Sequence, residues 1–298
     1  MLSILIPIYN FDVVDLANEL HRQAENCGID FEILCVDDFS QIHYKEKNRL
    51  VAGLEKVEYI ELKENIGRAK IRNLLADKAK FDYLLFLDCD SKTVSGNFIK
   101  NYVENHDEQC LVYGGRCYEP IQPTDKKKYL RWHYGTQREQ ISLQQRRSLP
   151  YKSFMTNNFL IPKIIFQQIK FNKNIKGYGH EDTLFGQELK KQQISIKHID
   201  NCLCHIGLED AHEFLEKTRN GVKNLALLIR QKMIDEDVRL YKSYQKIKCW
   251  KMLWTVKLLF WLFEKQIRKN LLSANPSLKK FDFYKLGILV KDMKKGVK

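Results

Sequence analysis

The sequence predicts an α/β protein with a mostly parallel sheet flanked by helices, followed by a basic helical extension. Apolar runs alternate with helical patterns through the first 90 residues, which is the order of a doubly wound sheet. The runs are continuously apolar, as in strands whose two faces are both covered. The charge balance then changes near residue 240, where the sheet-forming pattern has ended.

The elements follow from breaks in these patterns. Strands are predicted at 2–8, 31–36, 57–62 and 82–87, with helices at 12–26 and 68–80. The middle of the chain is less regular, with a strand and turn at 112–115 and a polar, helix-prone stretch at 125–149. Later elements are predicted as strands at 153–161 and 194–206 and as helices from 181 to about 190 and at 211–235.

The net charge of +13 is concentrated at one end of the chain. Residues 241–298 contain 15 Lys and Arg against 3 Asp and Glu, whereas residues 1–240 contain 35 against 34. A basic tail on a nearly neutral body suits an anionic partner, which can be phospholipid headgroups, nucleic acid or an acidic polymer. The charge therefore distinguishes a nearly neutral body from a strongly basic tail.

The sequence also bears on the compartment. Several of the eight cysteines lie in apolar, strand-like runs, which favours buried thiols in a reducing cytoplasm. No signal-peptide pattern opens the chain, and no run of about 18 uncharged apolar residues is present. The expectation is a cytoplasmic protein held peripherally at the inner face of the cytoplasmic membrane.

Three polar clusters follow predicted strands: Tyr9-Asn10, Asp37-Asp38 and Asp88-Cys89-Asp90. Ligands of open parallel sheets bind beyond the carboxyl ends of the strands. The Asp-x-Asp pair can hold a hard divalent cation, and such a cation can stabilise a diphosphate leaving group. The alternative for these aspartates is a solvated turn.

Two further clusters each have a functional and a purely structural interpretation. Asn65, Arg68 and Arg72 stand at a strand-to-helix junction, where a helix start and guanidinium groups favour phosphate; a capped surface helix is the alternative. Glu181-Asp182 follow the turn at 177–179, and one of them can serve as a general base or merely as a helix cap.

His205 ends an alternating segment that also contains Cys202 and Cys204. A Cys-x-Cys-His run can bind zinc, but no second ligand pair lies at a finger-like spacing. His205 is better explained as a single metal ligand that completes a site with Asp90. Asp37 and Asp38 remain either acceptors for a base or ribose or an ordinary Asx turn.

Six segments together resemble the family 2 glycosyltransferases, which have the GT-A fold and are common in bacterial surface-polysaccharide synthesis. These segments are SILIPIYN (3–10), VDDFS (36–40), NIGRAKIRN (65–73), LLFLDCDS (84–91), TNNFLIPK (156–163) and GYGHEDTLFGQEL (177–189). They occur in the family's order and cover roughly residues 1–210, which implies a catalytic domain at 1–210 followed by a helical basic region at 211–298. His180 departs from the family pattern, which often has a small residue there, so its role stays open.

The resemblance implies a nucleotide-sugar donor, with a UDP-sugar as the default, and inversion at the anomeric carbon. It also implies a divalent metal, Mn²⁺ or Mg²⁺ by ligand type, and a saccharide or lipid-linked glycan acceptor. The nucleotide would be held by Pro7, Tyr9, Asp37, Asp38, Asn65 and Arg68 or Arg72. The metal ligands would be Asp90, His205 and Asp88, with contact to the ribose as the alternative role for Asp88. Asp182 would be the catalytic base, and Glu181 would hold donor or acceptor hydroxyls.

The tail at 244–271 interleaves aromatic and apolar residues with lysines. Such a helix can lie in a membrane interface, where each basic residue contributes about 1 kcal/mol near anionic lipid; packing on the catalytic domain is the alternative. A nucleic-acid-binding protein would leave the acidic pairs unexplained, so no nucleic-acid partner is expected. A non-catalytic sugar-nucleotide-binding protein remains the main rival to the enzyme.

Overall fold

The computed structural model describes residues 1–173 and 179–293. Its strands are β1 Leu2–Ile8, β2 Phe31–Asp37, β3 Val57–Glu61, β4 Tyr83–Leu87, β5 Ser91–Thr93, β6 Cys110–Tyr113, β7 Arg116–Cys117, β8 Asn158–Pro162, β9 Ser195–His198 and β10 Leu203–His205. Its α-helices are α1 Val14–Asn26, α2 Ile42–Asn48, α3 Arg68–Lys78, α4 Phe98–Asn105, α5 Tyr129–Tyr134, α6 Leu143–Ser148, α7 Lys163–Ile169, α8 Glu181–Lys191, α9 Ala211–Arg230, α10 Arg239–Cys249, α11 Leu253–Leu271 and α12 Leu278–Met293.

The main sheet has the strand order β3-β2-β1-β4-β8-β6-β9. Neighbouring strands run parallel except at β8, which is antiparallel to both β4 and β6. A smaller sheet has the order β5-β10-β7. The predicted fold class, a mainly parallel sheet flanked by helices, is confirmed.

Both faces of the main sheet are covered by apolar side chains. Ile4 and Ile6 of β1 belong to one buried cluster, whereas Leu5 between them belongs to the other. Neighbouring strands alternate in the same way, since successive side chains of a strand point to opposite faces. Double coverage explains why the strands are continuously apolar in the sequence.

The single strand predicted at 194–206 is wrong, because β9 and β10 belong to different sheets. After β9 the chain bonds to the turn that follows β6: Ile199 N donates to Tyr113 O and Asn201 N to Gly114 O. The Asn201 side chain also donates to Phe98 O at 3.0 Å. These bonds end the first pairing, and the chain begins a new one with β5 and β7.

The periodic segment at 244–271 is likewise divided, into α10 and α11. Lys251 has φ +57°, and its N–H donates to Lys248 O while Met252 N donates to Ile247 O. This pair of bonds around a left-handed residue is the Schellman motif that terminates helices. A pattern of apolar residues alone does not reveal such a stop.

The described residues form two compact units, one from 1–119, 139–173 and 181–207, the other from 120–138, 179–180 and 208–293. The domain boundary expected at residue 210 stays a prediction. Within the described ranges, no helix combines the length and the apolar character needed to cross a membrane.

Candidate active site

The carboxyl ends of β1 and β2 lie side by side and bring the first two polar clusters together. Asp38 N donates to Ile8 O at 2.8 Å, and Asn10 N donates to Ser40 Oγ at 2.8 Å. Tyr9 leaves 55% of its surface exposed at the tip of β1. An exposed ring at this edge can stack on a nucleotide base, and Pro7 lies two residues earlier in the same strand.

Asp37 and Asp38 both accept hydrogen bonds from the protein itself. Asp37 is fully buried and accepts from Ser40 N at 2.7 Å and from the Tyr59 hydroxyl at 3.3 Å. The Asp38 carboxylate accepts from Ile66 N at 2.7 Å and Gly67 N at 3.0 Å. These contacts shape the edge of the sheet, and direct binding of a nucleotide by either carboxylate stays a prediction.

Asp38 thereby fixes the segment that precedes α3. Besides its two carboxylate contacts, its carbonyl oxygen accepts from Asn65 Nδ2 at 3.0 Å. Burial raises the pKa of Asp38, and the backbone donors of Ile66 and Gly67 oppose that rise. The segment at 65–67 therefore leads into α3 in a conformation set by β2, which places Arg68 at the helix start.

Arg72 and Asp88 form a buried ion pair. Arg72 Nη2 lies 2.7 Å from Asp88 Oδ1, and the Arg72 side chain is only 3% exposed. Asp88 N donates to Asn157 O on the other side. Arg72 thus holds Asp88 in place at the end of β4, and contact of either residue with a ligand stays a prediction.

Asp90 meets His205 across the smaller sheet. Asp90 Oδ1 lies 3.3 Å from His205 Nδ1, and the imidazole is 3% exposed. The backbone is clamped as well, because Ile206 N and Gly207 N both donate to Asp90 O, at 2.9 and 3.1 Å. A side chain at Gly207 would meet Asp90 Cβ at 2.6 Å, so only glycine permits this approach.

The charged neighbours of Asp90 favour its ionised form. Burial favours the neutral acid, yet His205 together with Arg116 and Arg68 outweighs it and lowers the pKa of Asp90. The carboxylate is therefore ionised at neutral pH. An ionised carboxylate next to an imidazole is a donor pair suited to a divalent cation.

Asp90 and His205 fit a divalent metal that a bound phosphate group would also coordinate. Apart from His205 Nδ1 at 3.3 Å, Asp90 Oδ1 has no hydrogen-bond partner in the described part of the chain, so these two side chains could share a cation. Within 1–173 and 179–293, no group of three or more His, Cys, Asp and Glu side chains is arranged to hold a metal. With Asp90 and His205 as the protein ligands, phosphate and water would supply the others, as in Mg²⁺-like sites.

Glu181 and Asp182 begin α8, and Arg68 connects them to the other clusters. Arg68 Nε lies 2.9 Å from Glu181 Oε1. Burial, with the charge of Glu181 next, raises the pKa of Asp182 to about 6, while Arg68 and Arg72 act in the opposite direction. Since Arg68 also acts on Asp90, one guanidinium influences both acidic clusters. Gly177 and Tyr178 lie outside the described residues.

The sequence did not reveal the group that packs behind His205. The Tyr118 ring lies edge-on to the imidazole with centroids 5.5 Å apart, and its hydroxyl bonds to Glu139. Arg116 Nε lies 3.7 Å from the same carboxylate. The only available signal was the turn at Gly114-Gly115, which precedes β7. Tyr118 therefore packs against His205, while Arg116 adds positive charge near Asp90.

Comparison with known proteins places these residues in context. The model of glycosyl transferase family 2 matches residues 3–171. A Drosophila melanogaster protein named as a putative inactive polypeptide N-acetylgalactosaminyltransferase 12 is 24% identical over 207 residues, 59% of this chain and 36% of that protein. Chondroitin synthase of Escherichia coli is 22% identical over 284 residues, 83% of this chain and 40% of that protein. The chain thus spans less than half the length of either relative.

Among solved structures, a similar fold is found in the mannosyltransferase PcManGT from Pyrobaculum calidifontis, solved with GDP-Man and Mn²⁺. The TM-score is 0.50 at 14% identity, over 77% of this chain and 64% of that one. At this identity the likeness concerns the fold alone.

Proposed function

Since the chain belongs to glycosyl transferase family 2, we propose that it is an inverting, metal-dependent glycosyltransferase. Its donor is a nucleotide-sugar, with a UDP-sugar as the default, and its acceptor is a saccharide or lipid-linked glycan in polysaccharide biosynthesis. The observation that supports this best is the position of Arg68, which is paired with Glu181 and acts on both Asp90 and Asp182. In this proposal, the metal-binding and proton-accepting carboxylates therefore belong to one site.

In the proposed reaction, Asp182 accepts the proton of the acceptor hydroxyl as that oxygen attacks the anomeric carbon. A pKa of about 6 suits this role, since a general base works best when its pKa lies near the working pH. Glu181 holds a sugar hydroxyl, and its pairing with Arg68 fixes its orientation. The displacement is single, so the configuration of the sugar inverts.

Asp90 and His205 would hold the metal, with Asp88 beside them at the end of β4. A bound Mn²⁺ or Mg²⁺ would offset the charge of the departing diphosphate. Arg68 adds positive charge at the same place, with 47% of its side chain exposed. The fold relative PcManGT was solved with Mn²⁺ and GDP-Man, which supports a metal and a nucleotide-sugar in a site of this kind.

Calorimetry of the protein with a panel of UDP- and GDP-sugars, in Mn²⁺ or in EDTA, tests the proposal. We expect one donor to bind in Mn²⁺ and to be released by EDTA, and the same donor to be hydrolysed slowly without an acceptor. Binding without hydrolysis or transfer would favour the non-catalytic alternative. Absence of binding to every donor under both conditions would reject the proposal.

We also propose that α10 and α11 attach the protein peripherally to an anionic membrane at the inner face of the cytoplasmic membrane. α11 packs through Val256, Phe260 and Ile267, and the Phe260 ring fits against Gly287 of α12. The opposite side exposes large apolar side chains, including Trp254 at 64% and Trp261 at 75%. Exposed apolar side chains next to exposed lysines are characteristic of interfacial helices, and a lipid-linked acceptor would make such attachment useful.

Replacing both exposed tryptophans, Trp254→Ser with Trp261→Ser, is expected to weaken membrane binding. Burying one large apolar side chain contributes about 1.5–3 kcal/mol, so the partition coefficient should fall by roughly tenfold or more. Co-sedimentation with phosphatidylserine-containing vesicles at low salt measures it, and raised salt should weaken binding further because it screens the lysines.

The matched control replaces an equally exposed apolar residue elsewhere. Leu50 is 70% exposed in the first unit, and Leu50→Ser should leave sedimentation unchanged. If the unmodified protein stays in solution with anionic vesicles at low salt, the membrane proposal is rejected.

A further inference from the structure

Three thiols gather on the smaller sheet, outside the groups assigned to the proposed reaction. Cys117 of β7 is the register partner of Cys204 in β10, and its sulfur lies 2.7 Å from that of Cys202. Cys202 precedes Cys204 by two residues, a spacing that points both side chains to one side of an extended chain. All three thiols therefore face a common point.

The surroundings of these thiols differ from those of the other cysteines. Cys117 and Cys202 are partly exposed, whereas Cys204 is 2% exposed. Cys35 is fully buried in the main core, and Cys249 is exposed on α10. Cys117 and Cys202 thus combine a reachable position with a second thiol in contact, which is what disulfide exchange requires.

We propose that Cys117 and Cys202 are a reversible oxidation site, converted to an internal disulfide by small-molecule disulfides such as oxidised glutathione. One thiolate attacks the oxidant, forms a mixed disulfide and releases one molecule of thiol. The second thiolate attacks the protein sulfur of that mixed disulfide and expels the second molecule of thiol. One disulfide is formed in the protein, the oxidant is reduced to two thiols, and the two protein thiol protons pass to them.

The linkage would act on the strand that carries His205. β10 ends at His205 and pairs with β5, which begins at Ser91 directly after Asp90. A covalent bond between Cys117 and Cys202 ties β7 to the start of this strand and should suppress its local opening. The effect on the metal site rests on the proposed function, but the effect on the sheet does not.

The first experiment tests whether the disulfide between Cys117 and Cys202 forms. The reduced full-length protein is treated with oxidised glutathione, blocked with N-ethylmaleimide and digested for mass spectrometry. We expect a linked pair of peptides containing Cys117 and Cys202, which dithiothreitol separates. Cys117→Ser should give no internal link, and Cys249→Ser, the exposed control, should give the link as before. Alkylation of both Cys117 and Cys202 after oxidation would overturn the proposal.

The second experiment measures local opening of the smaller sheet by amide hydrogen exchange in the oxidised and the reduced protein. The N–H groups of Ile206 and Gly207, which donate to Asp90 O, should exchange roughly tenfold or more slowly after oxidation, since a cross-link disfavours opening. Cys117→Ser should show no such change. Unchanged exchange despite a formed link would overturn the effect on β10. Neither readout needs a donor, so failure of the transfer reaction is distinguishable from failure here.

Discussion

Asp182→Asn is expected to abolish sugar transfer while the protein still binds its nucleotide-sugar donor. An amide cannot accept the hydroxyl proton, and a positioned general base contributes roughly 100- to 10,000-fold to a rate. We expect kcat to fall within that range while the donor Kd stays nearly constant. Transfer to an acceptor and donor binding by calorimetry are measured on the same preparation.

The pH dependence provides a signature for this residue. Burial, followed by the charge of Glu181, raises the pKa of Asp182 to about 6. Because a base works only when deprotonated, kcat/KM should rise with pH through about 6 and then level off. In Asp182→Asn the residual activity should lack this limb.

The same substitution should stabilise the protein, so that misfolding can be excluded as the cause of the lost transfer activity. A carboxyl whose pKa is raised on folding contributes stability at low pH that is lost as pH rises through its folded pKa. Asn carries no charge, so it avoids this loss. The Tm of Asp182→Asn should exceed that of the unmodified protein above pH 6, and the difference should vanish below about pH 4, near the pKa of Asp in an unfolded chain.

Glu188→Gln is the matched control on the same helix. Glu188 bonds to Gln192 at 2.9 Å and lies two turns further along α8. Glu188→Gln should change neither kcat nor the rise of kcat/KM with pH. Retained transfer in Asp182→Asn would remove Asp182 as the base and leave Glu181 as the carboxylate to examine.

The strands of the main sheet could be predicted closely because their physical signal is local. Continuous apolar runs predicted β1 at 2–8, as observed, and β2 within one residue of Phe31–Asp37. The polar residues that follow these strands were predictable for the same reason, since a parallel sheet exposes its carboxyl ends on one edge.

Most pairings of the side chains could not be predicted, because they depend on residues distant in sequence. The Arg72–Asp88 ion pair spans 16 residues, and no local pattern reveals it. The proximity of His205 to Asp90, more than 100 residues apart, was predicted from the metal site that they were expected to share. The close approach of Gly207 to Asp90 accompanies the hydrogen bond that Gly207 N donates to Asp90 O. Nothing in the spacing of Gly207 distinguishes it from a loop glycine.

Asp90→Ala is expected to eliminate metal-dependent binding of the nucleotide-sugar. Among the described residues, Asp90 is the ionised carboxylate next to His205, and its Oδ1 atom has no hydrogen-bond partner besides His205 Nδ1 at 3.3 Å. Residues that merely orient metal ligands alter affinity by roughly 10- to 100-fold, so loss of a ligand should exceed roughly 100-fold. Calorimetric titration of the donor in Mn²⁺ measures the loss. The variant in Mn²⁺ should resemble the unmodified protein in EDTA.

Two further variants separate loss of the ligand from disturbance of its surroundings. Gly207→Ala keeps the Asp90 carboxylate but forces it to move, since the added methyl would lie 2.6 Å from Asp90 Cβ; donor affinity should fall less than in Asp90→Ala and should still respond to EDTA. Asp107→Asn changes an exposed carboxylate that accepts from Gln109 N and should leave affinity unchanged. Equal, EDTA-sensitive binding in Asp90→Ala would show that Asp90 holds no metal, because a true ligand cannot be removed without weakening the response to metal.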